Sequence, residues 1–218
     1  MQASEEGSQR LLVIACGALA AEVLAVLRPV GDAVKVQCLP ASWHNEPAKI
    51  PGGVRKVIEQ NRHAFARIYV AYGDCGTAGE LDRVLAEYEV ERLPGPHCYS
   101  FYAGTEQFEA LVNEEPGSFF VTDYLLGNFQ RLVIKGLGLD RFPQLLTSYF
   151  GNYRRLVYLA QRSDASLVDQ AQQVAGQLGL ELVCRPVGYG LLGNQLVQLT
   201  AQHASATSAV IPAIGQVA

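Results

Sequence analysis

The sequence predicts an α/β fold: an open, doubly wound, mainly parallel sheet with helices on both faces. Three observations lead there. Short runs that are apolar on both faces alternate with amphipathic stretches of ten or more residues along the whole chain. Of the 218 residues, 49% are hydrophobic and 17% charged, a balance that fills a core and does not fit a disordered chain. The rhythm then restarts after Glu115-Pro116-Gly117, so the strands fall into two groups. They form either one open sheet or two related βαβ-type halves, about 11–115 and 116–203.

In order, Leu11–Cys16 reads as a buried strand, and residues 18–30 as a helix that ends near Pro29. Residues 33–40 form the second strand. A loop, "ASWHNEPAKIP", precedes a helix over 52–65. "RIYVAYG" is the third strand and 79–90 the third helix. "ERLPG" is a short fourth strand, with one helix over 99–115 behind it. The second half gives a strand at 117–123, helices at 124–139 and 143–155, and a strand at 155–161. It closes with a helix at 166–180, a strand at 181–188 and a helix at 191–204. Residues 1–10 are polar and predicted disordered, and 204–218 lack a clear period and are predicted loosely ordered. Helices of this length between such strands require parallel pairing with right-handed crossovers, the Rossmann-like arrangement.

Composition excludes several classes of function. The net charge of −4 supplies no electrostatic footprint for nucleic acid or for an anionic membrane surface. No apolar run reaches the roughly 20 residues of a membrane span. The acidic start "MQASEEGSQR" does not read as a secretory signal. The five cysteines, Cys16, Cys38, Cys75, Cys98 and Cys184, are odd in number, widely spaced and without a CxxC pair. The expectation is therefore a cytoplasmic protein with free thiols. Cys38 and Cys184 lie within strands and read as core residues, and His63 and His203 as surface residues.

The strongest functional signal lies just past the end of each strand, because ligands of open parallel sheets bind beyond the carboxyl ends of the strands. Cys16-Gly17 come after the first strand. Cys38, His44 and Asn45 come after the second, Asp74 and Cys75 after the third, His97 and Cys98 after the fourth, and Thr122 and Asp123 after the fifth. In "YGDCGTAGE", Gly73, Gly76 and Gly79 allow a sharp turn and close approach of a ligand. A cysteine just before a helix is favoured as thiolate, the form that binds soft metals and attacks electrophiles. Asp74 can cap the helix, orient a histidine or supply an oxygen ligand.

These positions support two chemical readings. In one, Cys16, Cys75 and His97 or Cys98 bind zinc or iron, with Asp74 and His44 as supporting or exchangeable groups and Gly17, Gly73 and Gly76 shaping the pocket. In the other, Cys75 is a nucleophile and His97 its base, with no metal. The bland reading is that Cys16 is a small core residue and that the glycines merely shape a strand-to-helix turn. The glycines do not make GxGxxG with its distal acid, and GxSxG, HExxH and the P-loop pattern do not occur. Arg154 and Arg155 read either as partners for an anion or as a solvated pair.

The segments "ACGAL", "LPASWHNEPAKIP", "YVAYGDCGTAGELD", "LPGPHCYSFYAG", "GSFFVTDYL", "KGLGLDRFPQL", "YFGNYRRLVYLAQ" and "GYGLL" resemble a bacterial and archaeal family filed as a domain of unknown function. The resemblance spans about residues 11 to 195. Members of that family are often encoded near corrinoid proteins and their methyltransferases. The resemblance thus implies a role around corrinoid-dependent one-carbon or methyl-transfer metabolism, with a small molecule or a corrinoid protein as partner. It implies no particular activity, so whether the chain is an enzyme stays open. A metal-free binding module using the same cleft is the main alternative, and the tyrosine-rich helices of the second half suit a homodimer.

Overall fold

The computed structural model describes residues 9–209. In chain order the elements are β1 (Leu11–Cys16), α1 (Ala20–Leu27), β2 (Val34–Leu39), α2 (Lys49–Asn61), β3 (Arg67–Ala71), α3 (Glu80–Glu87), β4 (Glu91–Arg92), α4 (Cys98–Ala103), α5 (Thr105–Glu114), β5 (Ser118–Thr122), α6 (Asp123–Gly127), α7 (Leu146–Phe150), β6 (Arg155–Ala160), α8 (Ala165–Leu178), β7 (Glu181–Pro186) and α9 (Gly190–Ala209). Short 3₁₀ turns at Gly17–Leu19, Arg28–Ala33, Ala41–Asn45 and Pro143–Leu145, and a π-helical turn at Gln130–Lys135, join them. The α/β class and the parallel pairing agree with the sequence, with the strands in two sheets.

The chain divides into two units. One holds the residues up to Pro96 together with those from Leu192 onward, and the other is His97–Leu191. The seam expected at Glu115–Gly117 lies inside the second unit.

In the first unit the strand order is β2-β1-β3-β4, all parallel. The chain leaves β1 for β2 on one side and then returns to β3 on the other. The order therefore reverses between β1 and β3, and the crevice at a topological switch point lies beyond the carboxyl ends of those two strands. Residues alternate across the pleat. Leu12 and Ile14 of β1 pack with Ile50, Val54 and Ile58 of α2 and with Leu81 and Leu85 of α3. Leu11, Val13 and Ala15 are equally buried on the opposite face, where α1 packs against β1 and β2. With both faces covered, a polar period cannot arise, and the continuous run "LLVIAC" is legible as a strand.

The second unit has the order β5-β6-β7, also parallel. Leu156 and Tyr158 of β6 face a cluster with Leu126, Phe129, Leu167, Ala171 and Val174. Val157 and Leu159 face Ala103 and Phe120, with Phe108 and Leu111 of α5 packed alongside. Helices thus cover both faces of this sheet as well.

Several helix boundaries differ from those expected of the sequence. The helix expected from residue 52 begins at Lys49, because Pro51 falls in the first turn, where its missing N–H costs nothing. The single helix expected over 99–115 is two, broken at Gly104, whose φ of 83° and ψ of 144° do not continue a helix. Residues 124–139 divide into α6 and the π-helical turn, and α7 ends at Phe150 rather than extending to residue 155. The fourth strand keeps two residues in place of five. At the C-terminus the helix runs on to Ala209, past the expected limit at residue 204. The rest of the predicted tail and the first eight residues lie outside the described residues. Among the described residues, no helix is long and apolar enough to cross a membrane.

Candidate thiol site

At the switch point of the first unit, β3 runs out through Tyr72 into the loop Gly73–Gly79. Cys75, Gly76, Ala78 and Gly79 all adopt the left-handed region, with φ of 50°, 83°, 53° and 82°. That conformation costs a residue with a Cβ about 1–2 kcal/mol, and two such residues stand here, Cys75 and Ala78. Asp74 offsets the strain. Its carboxylate accepts the Gly79 N–H at 2.9 Å, the Gly76 and Ala78 N–H groups at 3.2 Å each and the Thr77 hydroxyl at 2.8 Å. These bonds, that of Gly79 foremost, hold the carboxyl below the usual aspartate range. Asp74 therefore organises the loop from inside. The Gly76, Ala78 and Gly79 N–H groups thus already have an anionic partner within the loop.

The other edge of the loop is fixed by the chain leaving β4. The Leu93 N–H reaches Val70 O at 3.0 Å, the Asp74 N–H reaches Gly95 O at 3.2 Å, and the Cys75 N–H reaches Pro96 O at 2.9 Å. "LPGP" thus runs as a ladder beside "VAYGDC" although β4 itself is short. Cys75 is buried in the core cluster that also holds Tyr72, with Cys16 and Trp43 packed against it.

Cys16 ends β1 on the same face as Leu12 and Ile14. Its Sγ accepts the Ala18 N–H at 3.4 Å, but desolvation outweighs that bond and pushes the thiol pKa up. Gly17 stands next in the chain because a Cβ there would lie 2.9 Å from Leu39 O. The missing side chain lets the β1–α1 turn pass the end of β2. Gly73 is buried in the turn out of β3.

Tyr72 is the residue that sequence reasoning passed over. It is 2% exposed, and its hydroxyl, which lies beside the Cys16 thiol, has no partner of full hydrogen-bond geometry. Desolvation, and next the neighbouring Cys16, raise its pKa far above the phenol range. Cys75 and Cys38 also bear on it electrostatically. A phenol three residues before Cys75, in phase with Ile68 and Val70, was readable as facing the cysteine side of the sheet.

The remaining predicted residues are distributed differently. Cys38 pairs with Ala15 in register, so the pleat turns it to the face opposite Cys16, and it is exposed rather than in the core. Cys184 is partly buried against the second unit's core. His44 sits exposed in the Ala41–Asn45 turn, and partial desolvation lowers its pKa. His97 and Cys98 open the second unit. His97 caps α4, with Nδ1 accepting the Tyr99 N–H at 3.3 Å and lying 3.7 Å from Cys98 Sγ. The predicted metal set is thus divided between the two units. Among the described residues, no group of three or more His, Cys, Asp or Glu side chains is gathered in the way that holds a metal ion. His63 is exposed as expected, but His203 is buried, its Nε2 lying 2.8 Å from Gln9 O. Arg155 is also buried, donating to Ser118 Oγ and Leu111 O, and Arg154 is exposed.

The second unit carries a polar cluster at its own strand ends. Asp123 is 5% exposed and accepts from the Tyr158 hydroxyl at 2.8 Å, the Gln161 N–H at 3.0 Å and Arg162 Nε at 3.0 Å. Its own N–H donates to Gln161 Oε1 at 2.7 Å. The sequence placed Asp123 after a strand but gave no reason to join it to Tyr158 and Gln161, which lie more than thirty residues on.

Two parallel sheets clad by helices, with two cysteines packed beside the switch point of the first, define a Rossmann-like α/β protein. The chain belongs to the family described as a protein of unknown function (DUF1638), whose pattern matches residues 38–196. That span takes in His44, the Cys75 loop, His97 and Cys98, and it begins after Cys16. No curated protein and no solved structure matches the chain.

Proposed function

We propose that the protein binds a thiophilic metal ion, zinc or iron, at the switch point of the first unit, with Cys16 and Cys75 as sulfur ligands. The observation that supports this is the Tyr72 hydroxyl. A buried hydroxyl without a partner costs about 1–3 kcal/mol, and this one sits beside two thiols at the place where parallel sheets take their ligands. An ion bound there displaces the thiol protons and leaves the sulfurs negative, which gives the phenol a strong acceptor. Structural sites fill all four positions of the tetrahedral shell with protein ligands, and two sulfurs alone leave positions open. The open positions suit a substrate thiol or water. The family resemblance suggests methyl-group chemistry linked to corrinoid proteins as its setting.

The test is a cobalt(II) titration of anaerobically purified, metal-free protein, read by the sulfur-to-cobalt charge-transfer absorption. The band should saturate at one ion per chain and vanish in Cys16→Ser and in Cys75→Ser, but persist in Cys184→Ser. Absence of the band, or its persistence in Cys75→Ser, refutes the reading.

The left-handed backbone at Cys75 favours a second reading, in which that thiol is a nucleophile, since strain of this kind collects at reacting groups. Access alone predicts that iodoacetamide labels exposed Cys38 before buried Cys75. Faster labelling of Cys75 would establish activation.

A further inference from the structure

On the reading of the switch-point crevice as a ligand site, we infer that residues 40–48, between β2 and α2, form a lid over it. Opening of this lid gives access to Cys16 and Cys75.

The path of the chain places the segment there. Sheet order sets β1 between β2 and β3. The segment leaves β2 beside Gly17, where a Cβ would lie 3.2 Å from the Ala41 N and 3.5 Å from the Ala41 Cβ. It arrives beside Gly76, where a Cβ would lie 3.5 Å from Pro47 Cγ. Gly17 follows Cys16 in the chain, and Gly76 follows Cys75. The segment therefore touches the neighbour of one cysteine at its start and the neighbour of the other at its end, and it crosses the end of β1 between them. Cys75 is 9% exposed and Tyr72 2%, and Trp43 packs against the cluster that holds both. A ligand from solvent reaches a thiol so buried only after something moves.

The segment is built to move as a piece. The Trp43 N–H bonds Pro40 O at 3.1 Å, the Glu46 N–H bonds Trp43 O at 2.9 Å, and the Lys49 N–H bonds Glu46 O at 3.0 Å. These bonds close within the segment or on the first residue of α2, so they survive when it lifts. Ala41, Trp43 and Pro47 are half-buried, and the rest of 40–48 is exposed. The indole is the anchor. A Cβ on Gly53 would lie 2.1 Å from Trp43 Cζ3 and 2.6 Å from Cη2, so glycine at this position of α2 makes the seat for the ring. Glycine is unfavourable inside a helix, and the seat accounts for it here. Packing of one aromatic side chain is a contact that local opening breaks and remakes without unfolding.

Metal-free protein is alkylated with iodoacetamide at urea concentrations below the unfolding transition, and labelling of Cys75 is followed by peptide mass spectrometry. A lid exposes little surface on opening, so the rate should be nearly independent of urea. A urea dependence as steep as that of global unfolding overturns the lid. Trp43→Ala removes the anchor and should speed labelling of Cys75 about tenfold, with exposed Cys38 and the second unit's Cys184 changed less than about twofold. Should Trp43→Ala fold poorly, Gly53→Ala, which displaces the indole, is the second variant, with an expected gain of about threefold. A folded variant with its indole removed or displaced that labels Cys75 at the parent rate also overturns the lid. The cobalt titration judges the metal separately. A lid that passes these tests in protein without a cobalt band stands while the metal reading falls, and a cobalt band in protein that fails them keeps the metal and removes the lid.

Discussion

The carboxylate of Asp74 takes the N–H of Gly79 at 2.9 Å across a loop in which four residues have positive φ. This single side chain replaces the backbone partners that a strained turn cannot supply. Asp74→Ala should destabilise the protein by about 1–2 kcal/mol, and loosening of the loop should speed alkylation of Cys75 severalfold. Urea unfolding and mass-resolved labelling read the two effects. Unchanged labelling would mean that something other than Asp74 holds the loop closed.

The same relationship fixes behaviour in acid. The Asp74 carboxyl, bonded first to Gly79, and the Asp82 carboxyl, bonded to Arg92, titrate below their ordinary value of 3.8 in the folded state. A depressed folded pKa adds stability above the ordinary carboxyl range, and that stability is lost as pH falls through the folded values. In alkali the sign reverses. Burial raises the thiols of Cys16, Cys38 and Cys184 above 9.0, Tyr69 to about 12, and Tyr72 and Tyr158 beyond that. Between the ordinary and the raised values the folded state binds more protons than the unfolded one, so this contribution is full below about pH 9 and declines as pH rises. Melting temperatures should fall both below about pH 4 and above about pH 9. A flat alkaline limb would show that these groups are hydrated.

Gly53 and Trp43 define the packing of α2 against the loop after β2. A Cβ on residue 53 would lie 2.1 Å from Trp43 Cζ3, so Gly53→Ala must displace the indole. The expected cost is about 1–3 kcal/mol. Trp43 is the only tryptophan in the chain, so its fluorescence reports the displacement directly. A red-shifted emission maximum is expected, and an unaltered spectrum would mean that the helix moves instead.

Much of the scaffold was legible in the chain, for a physical reason. Strands covered on both faces have no polar residues to interrupt them, so "LLVIAC" and "RLVYLA" stand out with their observed limits nearly intact. The turn at Cys75 was equally visible, since three glycines within seven residues are costly anywhere but in a turn. Relations between distant residues were not legible. Nothing near Cys38 reveals that it lies on an edge strand with its side chain on the face away from Cys16, and nothing near His203 reveals the Gln9 carbonyl that buries it. Gly104 and the π-helical turn escaped because the apolar pattern on either side is helical and only the backbone angle at the break departs from it.

Tyr72→Phe separates the two states of the thiol site. In the metal-free protein the hydroxyl is buried without a partner of hydrogen-bond geometry, so its removal should leave stability unchanged or raise it by up to about 1 kcal/mol. With cobalt bound to Cys16 and Cys75, the phenol has an acceptor, and the same substitution should weaken binding about tenfold. Destabilisation of the metal-free protein by more than about 2 kcal/mol would mean that the contact with Cys16 is a full hydrogen bond and that the hydroxyl is already satisfied.

The Asp123 cluster yields the sharpest stability prediction, because its charge is buried and most of its partners are buried with it. Tyr158, the Gln161 backbone and Arg162 each donate to the carboxylate, and Gln161 accepts from the Asp123 N–H, so the end of β6 is tied to the start of α6. Asp123→Asn keeps the shape but removes the charge and turns one acceptor into a donor, which then faces a donor. The cost should be about 2–4 kcal/mol. Tyr158→Phe removes one donor from an acceptor that retains others and should cost only about 1 kcal/mol. The two changes touch one bond, so the double variant should be less destabilised than the sum of the singles by at least about 0.5 kcal/mol. Chemical denaturation of the four proteins measures that difference. Strict additivity would mean that Tyr158 and Asp123 act independently, and the cluster would then be a set of separate contacts and not one network.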